Sequence, residues 1–318
     1  PPVASPRLGT SGCDYTGRIE FDKKPPVIER LRIERTDVGY GIMRPTMKRL
    51  LTIQDISCVG QCSTTVALPL VSACGVECAV LPPAILSNHT AAGFKGWSFC
   101  DLTAELPKVE AKWVEQSIAF DAFYTGYVCE SHIDPILSIM QTCARPGAVR
   151  IVDPAMADNG ALYSGFTADF PKKMARLVAG AEYILPNLTE AAFLAGREPK
   201  LEGYTKAELE GLIADLHGLG AKTVVLTGVS FEPGLLGSAV SDGVHVAYDF
   251  NPRLPCAFHG TGDVFASVFA GAVLRGKTAA EAAALAADVV CRAIEATEPG
   301  HWYGVSFEKV IPWLSARF

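Results

Sequence analysis

Apolar and polar positions along this chain switch repeatedly between two periods. Short apolar runs rich in β-branched residues predict strands at Arg49–Gln54, Val76–Leu81, Ala122–Thr125, Val149–Val152, Tyr183–Leu185 and Thr223–Thr227, with a pair at Gly237–Ser241 and Val244–Tyr248. Asp242-Gly243 joins that pair and favours a tight hairpin. Between these runs the period lengthens to that of a helix. Helices are predicted at Ala104–Ala119, Ile133–Ala144, Thr189–Ala195, Lys206–Leu219, Val264–Leu274 and Ala279–Ala296. Thr205 to Glu208 and Thr278 to Glu281 both read as capping boxes at helix starts.

Strands alternating with helices predict an α/β fold of three layers, a mostly parallel central sheet with helices on both faces. Ligands in such folds bind beyond the carboxyl ends of the strands, so the residues following each strand are the first candidates for chemistry. The longest apolar stretch, Val66 to Leu86, carries Glu77 and is broken by Pro69, Gly75, Pro82 and Pro83. It reads as a buried helix followed by a strand, not a membrane span. No internal repeat is visible. Residues 1–46 lack this patterning, are polar and turn-rich, and contain no apolar h-region. They are expected to form a poorly ordered N-terminal extension, with Met47 as the natural start and one domain over 47–318; the alternative is an N-terminal arm that packs on the domain or on a partner.

Composition narrows the function classes. The 318 residues hold 28 basic and 34 acidic side chains, a net charge of −6, so there is no basic footprint for a nucleic-acid partner. Hydrophobic residues make up 49%, enough for a substantial core. The ten cysteines are scattered, without a C-x-x-C pair, and are expected to be reduced thiols of a cytoplasmic protein.

One motif is a decoy. Gly271 to Thr278 matches G-x-x-x-x-G-K-[ST] letter for letter. A phosphate-binding loop needs a strand before it, and here the preceding residues read as helix. Gly276 then serves as a helix-ending glycine and Thr278 as the next cap. The segment His259-Gly260-Thr261-Gly262-Asp263 just upstream has the right context, because a helix begins there. Its glycines allow backbone N–H groups to approach an anion, and its acid is placed to take a proton from a hydroxyl. A plain turn with an acid at a helix start explains the same letters. Further acids follow strands at Asp153 and Asp158, and Asn187-Leu188-Thr189-Glu190 reads equally as a helix cap and as a station for a Mg²⁺-bound water.

In this order, and together with Gln54-Asp55, Ser87-Asn88-His89-Thr90, Thr125-Gly126-Tyr127 and Thr227-Gly228, these stations resemble the pyridoxal kinase branch of the ribokinase superfamily from about Met47 to the C-terminus. The resemblance implies a ribokinase-like kinase domain that phosphorylates the 5′-hydroxymethyl group of a B6 vitamer with ATP and Mg²⁺, as a homodimer with no membrane or nucleic-acid partner. It implies Asp263 as the base and Gly260, Thr261 and Gly262 as the anion hole. Asp153, Asp158, Tyr163, Asn187, Glu190 and Thr227 would serve the nucleotide, with Asp153 and Glu190 toward the metal. Thr90 and Tyr127 would line the pyridine pocket with Asp55. Asp55 departs from the serine common there, and Leu185 from a threonine. A carboxylate at position 55 favours a cationic vitamer, pyridoxamine or pyridoxine, over the aldehyde. Two rivals remain: a hydroxymethylpyrimidine kinase, and a catalytically silent binding protein on the same fold.

Overall fold

In the computed structural model the described residues are 47–90, 93–255 and 258–318, so the expected extension over 1–46 lies outside them. Their strands are β1 (Arg49–Ile53), β2 (Ile56–Ser57), β3 (Glu77–Leu81), β4 (Ala84–Leu86), β5 (Phe99–Asp101), β6 (Phe120–Thr125), β7 (Ala144–Val152), β8 (Ala157–Asp158), β9 (Ala161–Leu162), β10 (Tyr183–Ile184), β11 (Thr223–Val229), β12 (Leu235–Ser241) and β13 (Val246–Pro252). The helices are α1 (Thr64–Ala73), α2 (Leu106–Glu115), α3 (Ile133–Thr142), α4 (Phe170–Val178), α5 (Leu188–Leu194), α6 (Lys206–Gly218), α7 (Thr261–Leu274), α8 (Ala279–Ala296) and α9 (Ile311–Ser315).

Eight strands form one sheet in the order β13-β12-β11-β10-β7-β6-β1-β3. The six from β11 to β3 pair in parallel, and β12 and β13 close one end in antiparallel register. Strand alternation feeds two cores. Leu50, Ala122, Tyr124, Ile151 and Val225 face α1, α7 and α8, while Leu51, Phe123, Val152, Val224 and Leu226 face α2 to α6. A sheet buried on both faces explains why its strands read as nearly continuous apolar runs. A second sheet, β2-β4-β5, continues the chain beyond the carboxyl end of β1. The expected three-layer architecture is therefore present.

Several boundaries differ from the sequence reading. Ala144 opens β7 rather than ending a helix, and α2 stops at Glu115 ahead of a left-handed Ser117. Helix α4, which the sequence reading omits, begins with Pro171 in its first turn and buries Phe170, Met174 and Leu177. The Asp242-Gly243 hairpin is wider than expected. Ser241 pairs with Val246, because the Asp242 side chain accepts the Val244 and His245 N–H groups (2.9 and 2.7 Å) and builds a longer turn. Both capping boxes form. The decoy reading also holds: Gly271 lies inside α7, Gly276 adopts φ +90°, and Thr278 caps α8.

Gly271 has a packing reason instead. A Cβ there would stand 2.6 Å from Cys74 Sγ and 2.7 Å from Cys74 Cβ, so the glycine lets α7 cross α1 closely. Gly271→Ala is expected to lower stability by about 1–3 kcal/mol through overpacking, although alanine is the better helix former. Gly218→Ala, at a helix position open to space, is expected not to lower it. Paired thermal melts check the opposite signs.

Candidate active site

Helix α7 carries the centre of the site. Its N-cap, Gly260, holds φ +80°, and a Cβ on it would lie 1.9 Å from the Gln61 carbonyl oxygen. Only glycine fits, and the contact clamps this loop onto the segment after β2. The N–H groups of the first turn, Thr261, Gly262 and Asp263, have no partner within the helix and form its positive end. From Val264 to Ala272 every residue is buried, which anchors the helix under the sheet and fixes Asp263 at its mouth. Burial pushes the Asp263 carboxyl up to about 7; the Ser63 backbone amide pulls it back and the charge of Asp55 adds to the rise.

A second group of acids comes from the ends of β7 and β10. Asp153 follows β7, is 8% exposed, and donates its N–H to the Thr125 carbonyl (2.9 Å). Burial, then Glu190 and Asp263, hold its carboxyl well above the usual range. Glu190 forms a reciprocal cap with Asn187: Glu190 N–H donates to Asn187 Oδ1 and Asn187 N–H to Glu190 Oε2, each at 2.9 Å. Its other oxygen accepts the N–H groups of Met156 (3.1 Å) and Ala157 (3.4 Å). Burial still pushes it up to about 8, against those amides. The cap reading of Asn187 is thus correct, and Asn187 Nδ2 also donates to the Ala157 carbonyl at 2.8 Å.

Other expected residues fall around these. Asp158 is exposed on the β8–β9 hairpin, where it accepts the Asn159 N–H at 2.8 Å. Tyr163 is 40% exposed, yet lies close enough to Glu190, Asp158 and Asp153 for its phenol to be held protonated, mainly by burial. Thr227 bridges to Asn187 in parallel register beside a bulge at Gly228, which has φ +80°.

On the other side, Gln54 and Asp55 follow β1 and Gly126 and Tyr127 follow β6, adjacent strands. Gln54 packs so tightly on Gly126 that a Cβ there would lie 2.2 Å from its Oε1. Asp55 is 3% exposed, accepts the Ser57 hydroxyl at 2.9 Å, and is pushed up chiefly by burial. Its charge contributes to the raised proton affinity of Asp263 and of Tyr127. The Tyr127 ring tilts against Phe166 at 5.4 Å. Thr90 is exposed on the β4–β5 connection, and no hydrogen bond among the described residues ties it to this cluster.

The sequence reading passed over three contacts. The His89 backbone N–H donates to Val59 O (2.8 Å), its Nδ1 is buried without a partner among the described residues, and its ring meets His259 at 5.5 Å. Gln61 accepts from His301 Nε2 (2.8 Å) and donates to Glu308 (2.8 Å), tying the C-terminal segment to the glycine loop. Ser63 is buried at the N-cap of α1 with φ +50°, and it offsets part of the burial that raises Asp55 and Asp263. None of these had a signal in the sequence, since each depends on contacts between distant segments. Burial pushes the Cys62 thiol up, so it is poorly suited to nucleophilic work.

Among the described residues no three His, Cys, Asp or Glu side chains close into a metal cage. Mg²⁺ needs no such cage, because it keeps several waters and takes one or two carboxylates together with substrate phosphates. Asp153 and Glu190 are such a pair: buried, mutually repelling, and without an ion-paired base among the described residues.

The family model described as phosphomethylpyrimidine kinase matches residues 72–306. The chain belongs to this family. Its relatives include a pyridoxal kinase of Rubrobacter xylanophilus, 28% identical over 263 residues that span 78% of this chain and 87% of the relative. A pyridoxal kinase structure from Lactobacillus plantarum is 31% identical with a TM-score of 0.78, covering 86% of this chain and 98% of the other. A structure from Bacteroides thetaiotaomicron, described as a putative phosphomethylpyrimidine kinase in a form with pyridoxal, is 33% identical with a TM-score of 0.79, over 84% of this chain and 96% of the other. The protein is thus a phosphotransferase with an alcohol acceptor, on the ribokinase-like fold that its sequence resembles.

The kinase's buried acids make its ligand-free stability depend on pH. Folded, Asp263 and Glu190 keep their protons up to about 7 and about 8; unfolded, they lose them near their ordinary values. The fold therefore binds more protons than the unfolded chain, and their contribution to stability is lost as pH rises across that window. Asp153→Asn is expected to raise Tm relative to wild type at about pH 8.5 and to change it little at about pH 4. Melts at low salt without nucleotide check this.

Proposed function

We propose that this kinase transfers the γ-phosphoryl group of ATP to the 5′-hydroxymethyl group of a B6 vitamer. The observation that carries the reading is Asp263 in the first turn of α7, behind a left-handed Gly260, with Asp153 close enough to feel its charge and that of Glu190. A carboxyl pushed up to about 7 is suited to accept a proton near neutrality. In this reading Asp263 takes the hydroxyl proton while the Gly260–Gly262 N–H groups stabilise charge on the transferring group. Catalysis is otherwise positioning and electrostatics. Asp153 and Glu190 would hold Mg²⁺ through water, and that ion supplies neutralisation of phosphate charge when bound. Asn187 and Thr227 face the phosphates, with Asp158 and Tyr163 over the nucleotide; Asp55, Thr90 and Tyr127 line the vitamer pocket.

The pyridoxal bound to the Bacteroides relative supports the vitamer as acceptor. The family's description keeps the pyrimidine alcohol as the second substrate to screen. The reading extends to a domain over 47–318, a cytoplasmic location, which suits eight described cysteines that are free thiols, and a homodimer, as the resemblance implies. No helix among the described residues is long and apolar enough to cross a membrane.

Asp263→Asn is expected to lower kcat by about 10²–10⁴-fold with a small change in KM. In wild type, kcat/KM is expected to fall as pH drops below about 7, where Asp263 takes up its proton, and the residual activity of the variant is expected to lack that limb. Steady-state rates across pH, with ATP and each vitamer, check both.

Asp55 bears on choice among vitamers. It is buried, and among the described residues no Lys, Arg or His forms an ion pair with it. A cationic amine or protonated ring nitrogen on the substrate would supply the missing charge. The kinase is expected to favour pyridoxamine or pyridoxine over pyridoxal, and Asp55→Asn to cut kcat/KM for pyridoxamine by about 10–100-fold, the range for a hydrogen bond to a charged group. A clear preference for pyridoxal in wild type would contradict this.

A further inference from the structure

Trp302 lies in the segment between α8 and α9, with half of its surface exposed. An indole left half in water adds little to a core, so what it covers matters more than what it buries. It covers the β4–β5 connection. A Cβ on Gly93 would stand 2.7 and 2.8 Å from two of the indole carbons, so this glycine, at φ +107°, lets the backbone approach the ring. Beside it the Phe94 ring meets Trp302 at 4.7 Å between centroids, tilted by 55°.

The connection is closed at its base. Ser87 N–H donates to the Ser98 carbonyl (3.2 Å), and Ser98 N–H returns to Ser87 Oγ (2.9 Å). Asn88 Nδ2 donates to the Gly96 carbonyl at 3.1 Å. Thr90 sits within the loop closed in this way, and Trp302 meets the loop at Gly93 and Phe94.

The segment that carries Trp302 is anchored on the glycine loop of α7. Gln61 N–H donates to the Tyr303 carbonyl (3.3 Å), and the Gln61 side chain accepts from His301 and donates to Glu308. The Tyr303 ring packs on both of its neighbours, His301 at 4.3 Å and Trp302 at 5.5 Å. The Gln61 carbonyl is the one that Gly260 has to clear. A continuous run of contacts therefore leads from Gly260 through Gln61 and His301–Tyr303 to Trp302, and from there to the β4–β5 connection.

We propose that Trp302 is a positioning residue for the phosphoryl acceptor: it holds the β4–β5 connection, and Thr90 with it, at a fixed place relative to the Gly260–Gly262 loop. The inference rests on the reading of that connection as the acceptor side of the site. Asp153, Asn187, Glu190 and Thr227, the residues read as serving the nucleotide, lie on β11 or follow β7 and β10. The two substrates consequently respond differently when Trp302 is lost.

The experiment measures initial rates of the full chain with ATP and the best acceptor, well below the Tm of each variant. Trp302→Ala is expected to raise KM for the acceptor by about tenfold, with KM for ATP within about twofold and kcat within about threefold, the pattern of lost binding in the ground state. Trp302→Phe keeps an aromatic face and is expected to stay within about threefold of wild type. Gly93→Ala drives a methyl group into the indole. It is expected to raise the acceptor KM by about tenfold in wild type and by much less beside Trp302→Ala, because the backbone strain is common to both but the clash is not. An unchanged acceptor KM in Trp302→Ala, or acceptor and ATP KM rising together, would overturn the role of Trp302. Equal effects of Gly93→Ala in the two backgrounds would overturn the contact through which it acts. If wild type phosphorylates neither a B6 vitamer nor the pyrimidine alcohol, the proposed function fails and this inference with it; if wild type turns over and Trp302→Ala matches it, only this inference fails.

Discussion

Several carboxylates converge in a part of this molecule that water barely reaches. Asp55, Asp153 and Glu190 are each less than a tenth exposed, and Asp263 exchanges charge repulsion with Asp153 and Asp55. No basic side chain among the described residues forms an ion pair with any of them. An isolated buried charge is costly, so such groups hold protons, accept hydrogen bonds, or wait for a cation. This fold uses backbone N–H groups and serine hydroxyls, which favour ionisation without cancelling charge. What is left over is a local excess of negative potential, and a cation brought by substrate or nucleotide answers it.

Packing remote from the chemistry sets that geometry. Helices α1 and α7 lie side by side on one face of the sheet because Gly271 admits Cys74. Their N-terminal ends consequently meet, and the loop after β2 presses its Gln61 carbonyl on Gly260. The C-terminal segment adds a second grip on Gln61 through His301 and Glu308. On the opposite face, the cap at α5 uses one carboxylate twice: Glu190 closes the helix start and holds the β7–β8 connection by two N–H groups. A residue can therefore be a helix cap and a component of the site at once, which is why the two readings of Asn187 to Glu190 did not compete.

How much of this was legible in the sequence depends on the range of the interaction involved. The alternation of strands and helices is a local signal, and it gave the three-layer architecture. Capping boxes at Thr205 and Thr278 are three-residue patterns and appear as read. Helix α4 was missed because proline follows its first residue and its apolar positions are spread among Lys172, Lys173 and Arg176. The wide turn after β12 was misread because Asp242 engages its own backbone, which the dipeptide rule does not include. In the site, Asp263, Asp153 and Glu190 were legible as acids after strands or at helix starts. Ser63 and Gln61 were not, since nothing in Gln-Cys-Ser-Thr-Thr announces a serine at positive φ or a carbonyl pressed on Gly260.

The two glycine segments of α7 show why letters alone mislead. Gly271 to Thr278 has the spelling of a phosphate loop, but its N–H groups are largely spent within α7, on the turn that ends it and on the next capping box. Gly260 to Asp263 has a weaker spelling, but its N–H groups at the helix start have no carbonyl of the helix to bond. An anion responds to unspent donors and the dipole behind them, not to glycine spacing. The deciding quantity is whether the backbone has already paired, and that is set by what lies before the glycines: helix in one case, a left-handed turn pinned by Gln61 in the other.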